Sequence, residues 1–160
     1  MHDSHIHLNL SPLDRNLEEV ISNFKKMGGK HILTQTTDNM DIDITFALAS
    51  KYPDVIDVAM GLHPTIFEEI TIQKGIKENI YEYCQKHIQT WEKLFEKNRQ
   101  NVKAIGETGL DYYQFNIPQN IPKEIIEQLK EIQKISFSKH ILLAIKYDLP
   151  MSIHARDIQG

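Results

Sequence analysis

Residues 102–113 read VKAIGETGLDYY. The stretch begins as an apolar strand through Val102, Ala104 and Ile105. It ends in charge, with Glu107 and Asp111 set among Gly106 and Gly109. An apolar strand that hands carboxylates to a glycine-punctuated loop at its C-terminal end matches the place where barrel enzymes build their sites. Working outward, four more segments have strand character: HDSHIHL (2–8), HILTQTT (31–37), VIDVAMGL (55–62) and LPMSIHA (149–155). Between them the apolar residues recur at helical spacing. Leu17, Val20, Ile21 and Phe24 form one stripe, stopped by Gly28-Gly29. Ile44, Leu48 and Ala49 form a second, closed before Pro53. Ile80, Cys84, His87, Ile88, Trp91, Leu94 and Phe95 form a long third, on which His87 is expected to pack. Ile125, Leu129, Ile132, Phe137, Ile141, Ala144 and Ile145 form a fourth, with a break expected near Ser136.

The order β-α-β-α-β-α-β-α-β implies right-handed crossovers and a parallel sheet. An open doubly wound sheet and a (β/α)8 barrel both satisfy it. No G-x-G-x-x-G follows the first strand, which removes support from the nucleotide-binding version. Histidines and carboxylates gather at the C-terminal ends of the first, third, fourth and fifth strands. The expected fold is therefore α/β, a TIM-type (β/α)8 barrel, with residues 1–160 as a single domain.

Composition narrows the function classes. The 160 residues are 41% hydrophobic and 25% charged, as in an ordinary globular protein. No apolar run approaches the roughly 20 residues that span a bilayer, and no signal peptide is visible. One cysteine, Cys84, excludes an internal disulfide framework and makes a reducing, cytoplasmic setting the expectation. A net charge of −4 argues against a broad basic surface that coats nucleic acid. It leaves room for a nuclease whose bound metals supply the positive charge at the phosphate.

The strand ends carry the chemistry. Asp3, His5 and His7 alternate along the first strand, so their side chains share one side. Both imidazoles can converge on one divalent ion, with Asp3 orienting a ligand from behind. Glu107 has two oxygens and is placed to bridge two metals. His154 ends the fifth strand as a third imidazole, and Arg156 two residues on can pair with a phosphate oxygen. His63, in Gly61-Leu62-His63-Pro64, either touches substrate or stabilises the turn before Pro64. Tyr112 and Tyr113 either line the pocket, where they can stack on a base, or pack in the loop. His2, His31 and His140 belong to no constellation.

Taken together, DSHIHL (3–8), YPDVIDVAMGLHP (52–64), AIGETGLDYY (104–113) and LPMSIHARD (149–157) resemble the TatD-like family of metal-dependent hydrolases, the TatD DNases. The resemblance runs along the whole chain in order. It implies an amidohydrolase-type barrel that hydrolyses phosphodiester bonds, typically in DNA, with two divalent metal ions (Mg, Mn or Zn). It also implies roles: His5 and His7 on one metal, Glu107 bridging both, and His154 on the second. Beside it, the residues themselves suggest Glu107 as the catalytic carboxylate and His63, Arg156 and Tyr112 as substrate contacts. Three departures stand out. Only Met1 and His2 precede Asp3, Thr108 stands where an aliphatic residue is commoner, and His140 stands where the helix often carries Gln. A fourth concerns length, since eight β/α units take about 250 residues. The five strands here correspond to the N-terminal part, without the regions that supply the family's remaining His and Asp ligands. The expectation is a fragment of a longer hydrolase. The alternatives are another amidohydrolase-type reaction, on a lactone, amide or phosphotriester, and a non-catalytic metal- or partner-binding half-barrel.

Overall fold

A computed structural model describes residues 1–74, 79–113, 115 and 121–157. Five strands form one sheet in the order β1-β2-β3-β4-β5, every neighbouring pair parallel. They are β1 (His2–Ile6), β2 (His31–Gln35), β3 (Ile56–Met60), β4 (Val102–Asp111) and β5 (Met151–Arg156). The helices are α1 (Leu17–Lys26), α2 (Ile42–Lys51), α3 (Ile66–Lys74), α4 (Ile80–Asn98) and α5 (Lys123–Tyr147). Each of the first four strands leads into a helical layer, and the chain returns as the next strand beside it, which builds four β/α units and a fifth strand of a TIM-type barrel.

Local sequence explains the helices. α1 buries Leu17 and Ile21, one turn apart, and carries Glu18 and Glu19 in its first turn and Lys25 and Lys26 in its last. Those charges complement the helix dipole. Gly28, at φ 83°, ends it, and the Gly28 and Gly29 amides bond back to the Lys25 and Phe24 carbonyls at 2.9 Å. α4 buries Ile80, Cys84, Ile88, Trp91 and Phe95, a single apolar stripe. That stripe packs with Phe67, Met60, Ile105, Leu129 and Ile132 in the larger core. A second core, under α1 and α2, gathers Leu8, Leu17, Ile21, Ile32, Leu48 and Val58.

Two elements differ from expectation. α5 runs unbroken for 25 residues, with no break near Ser136. The buried positions Leu129, Ile132, Gln133, Ser136, His140 and Ala144 keep helical period through that point. Ser136 and His140 are polar members of the buried face. α3 has no counterpart in the predicted elements. Its buried Phe67, Ile70 and Thr71 stand in a short run rich in β-branched residues, which obscures a helical period.

Candidate metal centre

The C-terminal ends of the strands converge on Glu107. Its Oε2 lies 3.1 Å from His5 Nε2 and 3.2 Å from His7 Nε2. Its Oε1 lies 3.0 Å from His154 Nδ1 and 3.9 Å from His63 Nε2. Two sets of donors result, His5–His7–Glu107 and His63–Glu107–His154, each with its ligand atoms within 4.8 Å of one another. One carboxylate is common to both, and each of its oxygens faces a different set.

The opposite nitrogen of each ring is engaged, and this fixes the ring orientation. His7 Nδ1–H donates to the Gln35 carbonyl at 3.2 Å. His5 Nδ1 lies 3.2 Å from Ser152 Oγ, and His63 Nδ1 lies 2.8 Å from Thr65 Oγ1. His154 Nε2 donates to Asp111 Oδ2 at 2.8 Å. With their protons on the outer nitrogens, neutral His7 and His154 turn lone pairs toward Glu107 oxygens. Such facing acceptors repel unless a proton or another cation lies between them. The donor set of imidazole nitrogens and a shared carboxylate fits Zn²⁺ or Mn²⁺ better than Mg²⁺.

Backbone geometry lets the strands come this close. At Gly61 an added Cβ would stand 2.6 Å from the Gly106 carbonyl carbon, so the β3 and β4 chains meet without a side chain between them. Gly109, at φ 152°, passes so near β5 that a Cβ would collide with the His154 carbonyl oxygen.

The electrostatics favour an ionised carboxylate. Burial pushes the Glu107 pKa up, but the hydrogen bond with His7 and the surrounding imidazoles outweigh it and hold it at about 2. The hydrogen bond to Glu107 raises the His7 pKa against the effect of burial. His63 goes the other way, to about 4, because burial outweighs the attraction of Glu107. Burial likewise opposes ionisation of Asp111, yet the hydrogen bonds from Arg156 and His154 carry its pKa below the usual value.

The predicted site residues therefore divide. His5, His7, His63, Glu107 and His154 come together. Asp3 does not reach an imidazole; its Oδ1 accepts the His5 backbone N–H at 3.0 Å and so holds the strand end. Arg156 is paired to Asp111, with Nη2 2.7 Å from Oδ2, and lies 4.6 Å over the Tyr113 ring. Tyr112 is buried away from the cluster, beside Phe115 and with Lys130 Nζ 5.3 Å from its ring centroid. His87 is more than packing, because its Nε2 sits 2.5 Å from Asp38 Oδ1 and ties α4 to the loop after β2. His2 and His31 stack at 5.4 Å at the opposite end of the strands. Asp111 joins the site although its sequence context alone assigns it no role. Its signal was parity, since residues 107, 109 and 111 alternate on one strand face.

A parallel α/β barrel with imidazoles and a shared carboxylate at its C-terminal mouth belongs to the class of barrels equipped to hold metal. The chain belongs to the TatD related DNase family, whose model matches residues 2–160. It is 32% identical over 155 residues to the uncharacterized metal-dependent hydrolase YabD of Bacillus subtilis, covering 97% of this chain and 50% of that protein. It is 31% identical over 143 residues to the uncharacterized metal-dependent hydrolase MG009 of Mycoplasma genitalium, covering 87% and 49%. The 3'-5' ssDNA/RNA exonuclease TatD of Pectobacterium parmentieri is 27% identical over 157 residues, covering 98% and 50%. The crystal structure of YJJV, a TatD homolog from Escherichia coli K12, superposes with a TM-score of 0.71 at 24% identity, over 98% of this chain and 51% of that one. That likeness shows the TIM-type fold. The chain spans about half the length of the curated relatives it matches.

Proposed function

We propose that the chain contributes the metal-binding strand ends of a divalent-metal-dependent hydrolase of the TatD type, a deoxyribonuclease that cleaves phosphodiester bonds. The observation that carries this reading is Glu107, whose two oxygens face two separate imidazole pairs. In this reading His5, His7 and Glu107 would hold one ion, and His63, Glu107 and His154 would hold the other. His63 thereby moves from a substrate contact to a ligand. Divalent ions bound there would supply Lewis acidity, enough to acidify a water and polarise a phosphoryl oxygen. The chain's own residues do the rest. Glu107 stays ionised and would anchor the ions through both oxygens, and Asp3, Gln35, Thr65 and Asp111 hold the strand end or the rings in place. Arg156 is committed to Asp111, so the phosphate meets positive charge chiefly from the ions. Names of relatives that include an ssDNA/RNA exonuclease support a nucleic-acid substrate. Free, buried Cys84 accords with a reducing, cytoplasmic setting. Among the described residues no helix is long and apolar enough to cross a membrane.

Two measurements test the reading. Zn²⁺ and Mn²⁺ titrations should show binding that Glu107→Ala abolishes. In a full-length protein that carries all eight β/α units, incubation with a single-stranded oligonucleotide should show metal-stimulated cleavage, lost in the same variant. Cleavage that survives both chelator and Glu107→Ala would overturn the reading. Metal binding without cleavage would favour the binding half-barrel.

A further inference from the structure

Asp111 ends β4 with its side chain wholly enclosed, 0% exposed, yet it is a carboxylate. Its Oδ2 accepts from His154 Nε2 at 2.8 Å and from Arg156 Nε at 2.9 Å, with Arg156 Nη2 at 2.7 Å. Its Oδ1 accepts the Tyr113 N–H at 3.0 Å and faces Arg156 Nε at 3.1 Å. Strand register produces this arrangement. Gly109 lies opposite His154 and Asp111 opposite Arg156, so two β5 side chains on one face reach one β4 carboxylate. An ionised carboxylate only accepts, so the ring nitrogen facing it carries a proton. A neutral imidazole has one such proton. With it on Nε2, Nδ1 is left as a lone pair aimed at Glu107 Oε1, 3.0 Å away, and His63 Nε2, 3.1 Å away.

We propose that Asp111, itself fixed by Arg156, is the positioning residue that keeps the His154 proton on Nε2 and thereby presents Nδ1 as a ligand to a divalent cation shared with Glu107 and His63. The purpose of the device rests on the metal-dependent function proposed above; the position of the proton does not. An asparagine at 111 keeps the shape and reverses the polarity. Arg156 would claim the amide oxygen, the amide NH₂ would turn to Nε2, and the ring proton would move to Nδ1. An Asp-to-Asn change behind a catalytic histidine has the same consequence, a wrong tautomer in an intact fold.

The ring ¹⁵N resonances of His154 read this directly. They are recorded on the metal-free chain at about pH 9, where an imidazole holds a single proton. A Zn²⁺ titration at neutral pH then follows the Nδ1 resonance. In the unsubstituted chain Nε2 should be protonated and Nδ1 bare. In Asp111→Asn the pattern should reverse, and Zn²⁺ affinity at His154 should fall about 10–100-fold. A proton on Nδ1 in the unsubstituted chain would overturn the proposal, and so would unchanged affinity in a folded Asp111→Asn. If that variant fails to fold, the spectrum of the unsubstituted chain decides. If the unsubstituted chain binds no Zn²⁺, the metal function fails, and the spectrum still decides where the proton sits.

Discussion

His140 is held as a neutral ring by two partners of opposite character. Its Nδ1–H donates to the Ser136 carbonyl at 2.7 Å, and its Nε2 accepts the Leu62 N–H at 3.1 Å. A second ring proton would confront the Leu62 amide with another donor. Full burial likewise lowers the pKa to about 4, ahead of any other influence. As pH falls through 6.5 the unfolded chain takes up this proton first, so stability is complete above 6.5 and declines down to about 4. The whole effect is about 3 kcal/mol, of which about 2 kcal/mol is lost by pH 5. Glutamine carries no such proton. In urea unfolding, the stability gap between the native chain and His140→Gln should be narrower at pH 5 than at pH 7.5, and a gap independent of pH would refute the account. At this scale the sequence was readable where chemistry is unusual for a strand: His5, His7, Glu107 and His154 are conspicuous because a strand end rarely carries them. His140 and His87 were not readable, because a buried histidine on a helix stripe looks like packing until its partners, Leu62 and Asp38, are known.

At the scale of elements, α5 does more than cover the sheet. Trp91 of α4 stacks on His140 at 3.8 Å, and Lys139 reaches Glu92 at 2.7 Å, so the two helices lock side by side. From the same face of α5, Gln133 reaches into two strand ends. Its Oε1 accepts the Asp111 N–H at 2.8 Å, and its Nε2 donates to the Asp111 carbonyl at 3.0 Å and the Pro64 carbonyl at 3.2 Å. The segments that present His63 and Asp111 are thus tied to one buried amide. Leucine of similar volume would strand these backbone groups, at about 1–3 kcal/mol for each left unsatisfied. Gln133→Leu should therefore lower unfolding stability by about 3 kcal/mol or more, measured in urea with the unfolding slope unchanged; an unaltered midpoint would show that the amide is dispensable. Such ties explain which elements were legible. α1 and α4 declared themselves through apolar stripes and charged ends. α5 concealed its continuity because Gln133, Ser136 and His140 occupy buried positions where the pattern calls for apolar residues. α3 is short, and the core contacts of Phe67 fix it more than any period in its sequence.

At the scale of the whole sheet, β1 and β5 are the edges among the described residues, and they differ in character. β1 offers His2, Ser4 and His5 to solvent, polar groups that discourage pairing. β5 exposes Ile153, and the helix before it exposes Leu142 and Ile145, among the most open large apolar side chains of the chain. In a parallel barrel a strand buries its far edge against the next unit, and the preceding helix buries its flank there too. Among the described residues nothing pairs with the far edge of β5, and the apolar flank of α5 stays exposed there. A free strand edge beside exposed apolar side chains is a template for self-association. The 160-residue chain should therefore bind an apolar dye and scatter more light as its concentration rises. Leu142→Lys with Ile145→Lys should reduce both signals while leaving the helical circular dichroism intact, because neither side chain contributes to the core. Equal scattering from the double variant and the native chain would place the sticky surface elsewhere, with the β5 edge itself the first place to examine by substituting Ile153 with lysine.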